Sequence, residues 1–259
     1  MMKILVCVKQ VPDTTNIKWT ENNTIQREGL ESVMNPFDIF AVEEALKIKN
    51  KRHNVSITTL TMGPNQAIDM LKKTIARGCD SACLLTDRKF AGADTYATSK
   101  TIASAIRTKY ADFNLIICGQ FAVDGDTAQT GPAIANNLKI PQVTYVKEIV
   151  DANEFHVTVR RELEEGIETV QVKLPALICV LQGDYEPSPV TINGVKKALK
   201  TEIDIYSADN IDIAAEDAGL KGSPTYVSKA FRPVKKHECV FVENSSDFCN
   251  ELKECLQDE

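Results

Sequence analysis

Neither GxGxxG nor GxxxxGK followed by Ser or Thr occurs anywhere in this chain of 259 residues. Those absences disfavour a standard Rossmann dinucleotide site and a P-loop nucleotidase. There is also no CxxC pair, no HExxH helix and no Ser-His-Asp or Cys-His constellation, and His53, His156 and His237 are scattered. No metal site and no catalytic side-chain centre is therefore expected, and any chemistry has to be borne by a bound cofactor. Positive charge is in short supply too, with a net charge of -6 and a pI near 5.3. A phosphate-backbone surface needs concentrated Lys and Arg, and the pairs Lys196-Lys197 and Lys235-Lys236 are too short to supply it, so no nucleic-acid partner is expected. Apolar runs stop well short of the ~20 residues of a membrane span. The start, MMKILVCVKQ, enters a strand-like segment without a leader's long apolar stretch, and the expected location is cytoplasmic.

The eight cysteines, Cys7, Cys79, Cys83, Cys118, Cys179, Cys239, Cys249 and Cys255, lie mostly within apolar runs and read as buried, inert thiols. Forty-three per cent hydrophobic content over this length is enough for a full core.

Strand-like runs at 4–8, 55–60, 82–85 and 115–118 alternate with helical patterns at 37–48, 67–75, 95–106 and one ending near Leu138. That alternation predicts βαβ units, hence an α/β fold whose mostly parallel sheet is flanked by helices. On the first helix Phe37, Phe40, Ala41, Ala45 and Ile48 share a face, with Glu43, Glu44 and Lys47 off it. Between the first strand and that helix, NIKWTENNTIQREG reads as a hairpin tipped at Glu21-Asn22-Asn23. Strand patterns without helices at 142–150, 155–161, 169–174 and 176–181 read as an antiparallel extension. Residues 1–200 make one nucleotide-binding domain in this reading. Residues 201–259 make a polar arm ending in an amphipathic stretch, with Phe248, Leu252 and Cys255 on one face and Ser245 or Ser246 as its cap.

Open parallel sheets bind ligands beyond the carboxyl ends of their strands. The segments found there are Lys9-Gln10-Val11-Pro12-Asp13, Thr61-Met62-Gly63-Pro64 and the long run 118–132, CGQFAVDGDTAQTGP. In the last, glycines permit close backbone approach, Thr and Gln offer neutral hydrogen bonds, and the following helix offers free N–H groups to a phosphate. An ordinary capped turn is an equally open reading of DGD. Asp124 and Asp126 alone are too few oxygen ligands for a Mg²⁺ cage.

MKILVCVKQVPDT, MNPFDIFAVEEALKIK, TMGP, CGQFAVDGDTAQTGPAIANNLKIPQVTYV, RELEEGIETVQVKLPALICV and EPSPVTINGVKKA, in this order from Lys3 to about Lys200, resemble electron-transfer flavoprotein β subunits. That resemblance implies an adenine-nucleotide-binding, Rossmann-like domain and a C-terminal arm wrapped on an α subunit that carries a catalytic FAD. The form DGDTAQTGP is similar to electron-bifurcating members that bind a second FAD in the β chain and oxidise NADH; ordinary members bind structural AMP instead. By resemblance, Cys7, Val8, Lys9, Asn35, Asp38 and Met62 would hold the adenylate. Gly119, Asp124, Gly125, Thr127, Ala128, Gln129 and Thr130 would line the diphosphate loop. Asn35 and Asp38 also read as a helix-start pair, and a solvated charge pair is the plain alternative for Arg161-Glu162, which resembles a position near the subunit interface. Ile192 lies in the segment 186–197, which resembles the one docking a flavin-dependent dehydrogenase, of acyl-CoA or hydroxy-acid type. The expected low-potential acceptor is ferredoxin or flavodoxin.

Two rivals lie outside that family. A stand-alone adenine-nucleotide module of the universal-stress type leaves residues 160–197 and the arm unexplained. A nucleotide-cleaving enzyme of the pyrophosphatase-loop kind needs a Ser-Gly-Gly loop where this chain has Lys9-Gln10-Val11-Pro12.

Overall fold

The computed structural model describes residues 1–13, 32–228, 241, 242 and 244–255, with backbone alone at 250, 251, 254 and 255. Strands β1 (Met2–Cys7), β4 (Val55–Met62), β5 (Ser81–Leu85), β6 (Leu115–Gly119) and β10 (Ala176–Val180) are all parallel to their neighbours. Their sequences are near-continuous apolar runs because helices cover both faces of the sheet. Successive residues point to opposite faces. Ile4, Val6, Ile57, Ile117 and Ile178 pack with helices α1 (Pro36–Lys51) and α2 (Ala67–Arg77). Leu5, Leu60, Ile116 and Leu177 pack with α3 (Thr95–Lys109) and α4 (Thr130–Leu138) on the other side.

Among the described residues the main sheet runs β11-β5-β4-β1-β6-β10-β7-β8-β9, where β7 is Gln142–Ala152, β8 His156–Leu163, β9 Gly166–Lys173 and β11 Asp204–Tyr206. A separate antiparallel pair joins β2 (Gln10–Pro12) and β3 (Ser32–Met34). From β1 the chain moves to β4 on one side, while β6 takes the other, so the order reverses between β1 and β6. The antiparallel extension consists of β7, β8 and β9. The run 176–181 does not belong to it: β10 inserts between β6 and β7, parallel to both. A fully apolar strand is satisfied only in the sheet interior, whereas β8 and β9 alternate and can face solvent on one side. After residue 200, β11 pairs in parallel with β5, and Ile211 and Ala218 are buried against the α3 side.

Helix boundaries follow local chemistry. Asp94 caps α3 by accepting from the Ala97 N–H at 3.0 Å, and it also accepts from the Thr225 N–H and hydroxyl. Replacing Asp94 by Ala should cost about 1–2 kcal/mol, read as a lower urea midpoint. On α1, Phe40, Ala41, Ala45 and Ile48 are buried as expected, but so are Glu43 and Glu44. The side of α1 expected to meet water is covered by β7 and by residues 185–188.

Cys79, Cys83, Cys118 and Cys179 are buried, Cys7 is partly buried, and Cys249 is exposed, against the expectation of a core thiol. Burial pushes the Cys79, Cys83 and Cys179 thiols up to about 12. That keeps them protonated and unreactive.

The last helix, α6 (Ser245–Cys255), falls in a second structural unit, and its start is capped by Asn244, not by Ser245 or Ser246. The Asn244 carboxamide oxygen accepts from the Asp247 N–H at 3.0 Å. Phe248 and Leu252 are exposed on it. Among the described residues, no helix is long and apolar enough to cross a membrane, and no group of three His, Cys, Asp or Glu side chains could hold a metal. The hairpin expected around Asn22, together with Lys235, Lys236, His237 and Cys239, lies outside the described residues.

Candidate functional site

Strand order reverses between β1 and β6, and it is beyond the carboxyl ends of the strands at such a point that open parallel sheets place a ligand crevice. The start of α1 closes one side of it. The Asp38 carboxylate accepts from the Lys9 N–H at 2.7 Å, just past β1, and from the Gly119 N–H at 3.1 Å, at the end of β6. A single buried side chain thereby fixes the spacing of the two strand ends. Burial raises the Asp38 carboxyl to about 7, against the lowering influence of the Lys9 and Gly119 amides, of Asn35 and of the Lys9 charge.

Asn35 lies at the N-cap position of α1 but does not cap it with its side chain. Its carboxamide donates to the Phe121 carbonyl at 2.9 Å and accepts from the Val123 N–H at 3.1 Å, pinning the loop that follows β6. Phe37 reinforces this, its ring 4.2 Å from that of Phe121. Asn35 and Asp38 do stand at the start of α1 as expected, at the N-cap position and in the first turn, but the Asn35 side chain bonds the loop after β6 in place of capping, and Asp38 bonds the two strand ends. Gly119 is required by close approach, since a Cβ there would lie 2.3 Å from Asp38 Oδ1 and 2.7 Å from Phe37 Cβ.

Beyond Val123 the loop is exposed, and it is tied back by a Lys9–Asp124 ion pair at 2.6 Å. Asp126 and Ala128 have left-handed backbones, with φ of 51° and 54°. Such values are uncommon outside glycine and gather at ligand sites. Gln129 then turns right-handed and leads into α4 without a side-chain cap. Its side chain is engaged elsewhere, accepting from the Thr95 hydroxyl at 2.9 Å. Left-handed and right-handed residues in succession, followed by an uncapped helix start, form a concave array of N–H groups suited to an anion. Gly131 lets α4 approach the sheet, because a Cβ there would sit 2.5 Å from the Cys179 sulfur.

The remaining expected residues fall as follows. Val8 is buried beside Lys9, Cys7 and Met62 are partly buried at the ends of β1 and β4, Thr130 is partly buried, and Gly125 and Thr127 are exposed. Arg161 and Glu162 are on β8, away from this loop in the topology; Arg161 lies 3.4 Å from Glu168, and Glu162 lies 3.4 Å from Lys147. Ile192 opens helix α5 (Ile192–Lys200), 77% exposed. Gln120 was not singled out from sequence. It is buried, and its side-chain oxygen accepts from the Tyr145 N–H at 2.6 Å, joining the crevice loop to β7. A polar residue directly after an apolar strand was the available signal.

The fold is that of an α/β protein whose mostly parallel sheet reverses its strand order between β1 and β6. Comparison with known proteins then gives the family. The electron transfer flavoprotein domain matches residues 22–210. The electron transfer flavoprotein subunit beta of Megasphaera elsdenii is 46% identical over 244 residues, 91% of this chain and 89% of that protein. The caffeyl-CoA reductase-Etf complex subunit CarD of Acetobacterium woodii is 42% identical over 236 residues, again 91% and 89%. Protein FixA of Azorhizobium caulinodans is 41% identical over 246 residues, 92% and 86%. The chain belongs to the electron-transfer flavoprotein β-subunit and FixA family, and its function is electron transfer of that type.

Proposed function

We propose that this chain binds FAD in the crevice between β1 and β6 and works as the electron-bifurcating β subunit paired with an α subunit. The observation that carries the reading is the uncapped start of α4 behind the left-handed residues Asp126 and Ala128. There the N–H groups of residues 127–130 and the Thr127 and Thr130 hydroxyls would hold a diphosphate, while the Gly125 and Asp126 N–H groups close the preceding turn on the Ala122 carbonyl. Cys7, Val8, Lys9 and Met62 would border the adenylate, with Asn35 and Asp38 holding the walls that receive it.

When bound, FAD would supply chemistry that side chains lack, namely two-electron hydride acceptance from NADH and one-electron release toward the α-subunit FAD and a dehydrogenase and toward ferredoxin or flavodoxin. The protein's own part is positional. Lys9 neutralises Asp124 beside the diphosphate site, and Asp38 and Asn35 hold two strand ends and a loop at fixed spacing. Arg161 and Glu162 would face the α subunit. Within the arm 201–259, the part beyond the segment packed on the sheet edge would wrap that partner. Ile192 would dock a flavin-dependent dehydrogenase of acyl-CoA or hydroxy-acid type.

The test is a count of nucleotides in the co-purified αβ pair, followed by anaerobic titration with NADH. Two flavins per pair, bleached by NADH, are expected. One flavin with one AMP would make the chain an ordinary structural-AMP subunit, and a colourless homodimer holding ATP would make it a stand-alone nucleotide module.

A further inference from the structure

Besides Asp38, two more carboxylates on α1 are buried. Glu43 and Glu44 are 3% and 2% exposed. Acidic side chains are almost never so buried unless paired, and a well-packed apolar replacement is often neutral or stabilising. What they bind is specific. Glu43 accepts from the Ser188 hydroxyl at 2.9 Å and from Arg77 at 3.2 Å, and Arg77 also donates to the Ser188 carbonyl at 2.7 Å. Glu44 accepts from the Tyr185 hydroxyl at 3.0 Å, from Lys47 at 2.7 Å and from the Ile149 N–H at 3.0 Å. Lys47 also lies over the Tyr185 ring, 3.7 Å from its centre.

Both carboxylates therefore grip the connection between β10 and α5. No residue from 181 to 191 is fully buried; Tyr185 packs edge-on to Phe40, ring centres 5.2 Å apart, and the polar bonds of Glu43 and Glu44 fix the connection further. Its far end is α5, which is seated tightly on α2. A Cβ at Gly194 would come 2.0 Å from the Ala76 carbonyl, and Lys197 donates to the Cys79 carbonyl at 2.9 Å. On its outer side α5 carries Ile192, Val195 and Leu199, spaced three and four apart and 77%, 44% and 78% exposed, with Val190 just ahead at 42%.

We infer that Glu43 and Glu44 are positioning residues for partner docking: they hold Tyr185 and Ser188 so that the stripe Val190, Ile192, Val195 and Leu199 meets a flavin-dependent dehydrogenase in one preset arrangement. The inference rests on the docking reading of Ile192 given above. A pre-ordered segment binds more tightly than the same contacts on a loose one, because its ordering cost is met before the partner arrives. The carboxylates tolerate burial because the Tyr185 and Ser188 hydroxyls, the Ile149 N–H, Arg77 and Lys47 all donate to them.

The experiment uses the intact αβ pair as electron acceptor for an acyl-CoA dehydrogenase reduced with butyryl-CoA. Five variants of this chain are compared with the wild type: Ile192→Asp, Tyr185→Phe, Ser188→Ala, Ser188→Thr and the double Tyr185→Phe/Ser188→Ala. The double variant is expected to raise KM for the αβ pair about tenfold, with kcat and bound nucleotide unchanged. Ser188→Thr, which keeps the hydroxyl, should behave as wild type. If Ile192→Asp raises KM while the double variant does not, or if the double variant lowers only the melting temperature, the positioning role is overturned and the docking surface stands. If Ile192→Asp leaves KM unchanged, or instead releases the α subunit, the docking reading itself is overturned, and the positioning role with it.

Discussion

A Gly119→Ala variant is expected to lose about 3 kcal/mol of stability and, under the function proposed above, to bind its nucleotide more weakly. The added methyl would sit 2.3 Å from Asp38 Oδ1, 2.7 Å from Phe37 Cβ and 2.9 Å from the Phe37 carbonyl carbon. Two of those three neighbours are the backbone and Cβ of a residue in the first turn of α1, so a side-chain rotation cannot relieve the overlap. Either α1 moves off the strand ends, or β6 moves away from α1. Both responses break the Asp38 bonds to Lys9 and Gly119, and with them the spacing of the two walls. In thermal melts the loss corresponds to roughly 6–12 °C for a chain of this size.

Gly125 provides the contrast. A Cβ there meets nothing within 4 Å, and its φ is not among the positive ones. Gly125→Ala should therefore leave the melting temperature within about a degree or two of wild type. Equal melting temperatures for the two variants would show that the crevice walls are not braced through Gly119.

How far the sequence foretold this arrangement depends on the range of the interactions involved. The core strands were legible because burial on both faces writes itself as an uninterrupted apolar run, as in Ile4-Leu5-Val6 and Leu115-Ile116-Ile117. The long connection from β6 to α4 was legible too, because glycines and polar residues after a strand and before a helix carry their turn chemistry locally. The role of Asn35 was misread, since its local context is that of an N-cap and its real partners, Phe121 and Val123, are 86 and 88 residues away. The same distance effect hid Glu43 and Glu44. Helical periodicity assigned them to solvent, and the groups that bury them come from 185–188 and from Ile149. The position of β10 was missed for a related reason: a strand's own sequence states how deeply it is buried, not which neighbours it takes.

The second large effect concerns the pH dependence set by Asp38. Burial raises this carboxyl from 3.8 to about 7. Its stabilising contribution is then fully present below about 4, where folded and unfolded chains both hold the proton, and it is lost as pH rises through about 7. The gap between the two values sets an upper limit of roughly 4 kcal/mol on the change. Asp38→Asn removes the titration but carries a constant penalty of about 1–3 kcal/mol, because the amide NH₂ cannot accept from whichever of the Lys9 and Gly119 N–H groups it faces. Urea unfolding of both proteins at pH 5 and pH 8 separates these effects. The wild type should exceed the variant by most at pH 5, and the margin should shrink by a few kcal/mol at pH 8, whatever the other carboxylates do, since they are common to both chains. A margin that widens with pH would mean that the Lys9 and Gly119 amides outweigh burial. In that case the ionised carboxylate, and not the neutral acid, is the form that braces the crevice.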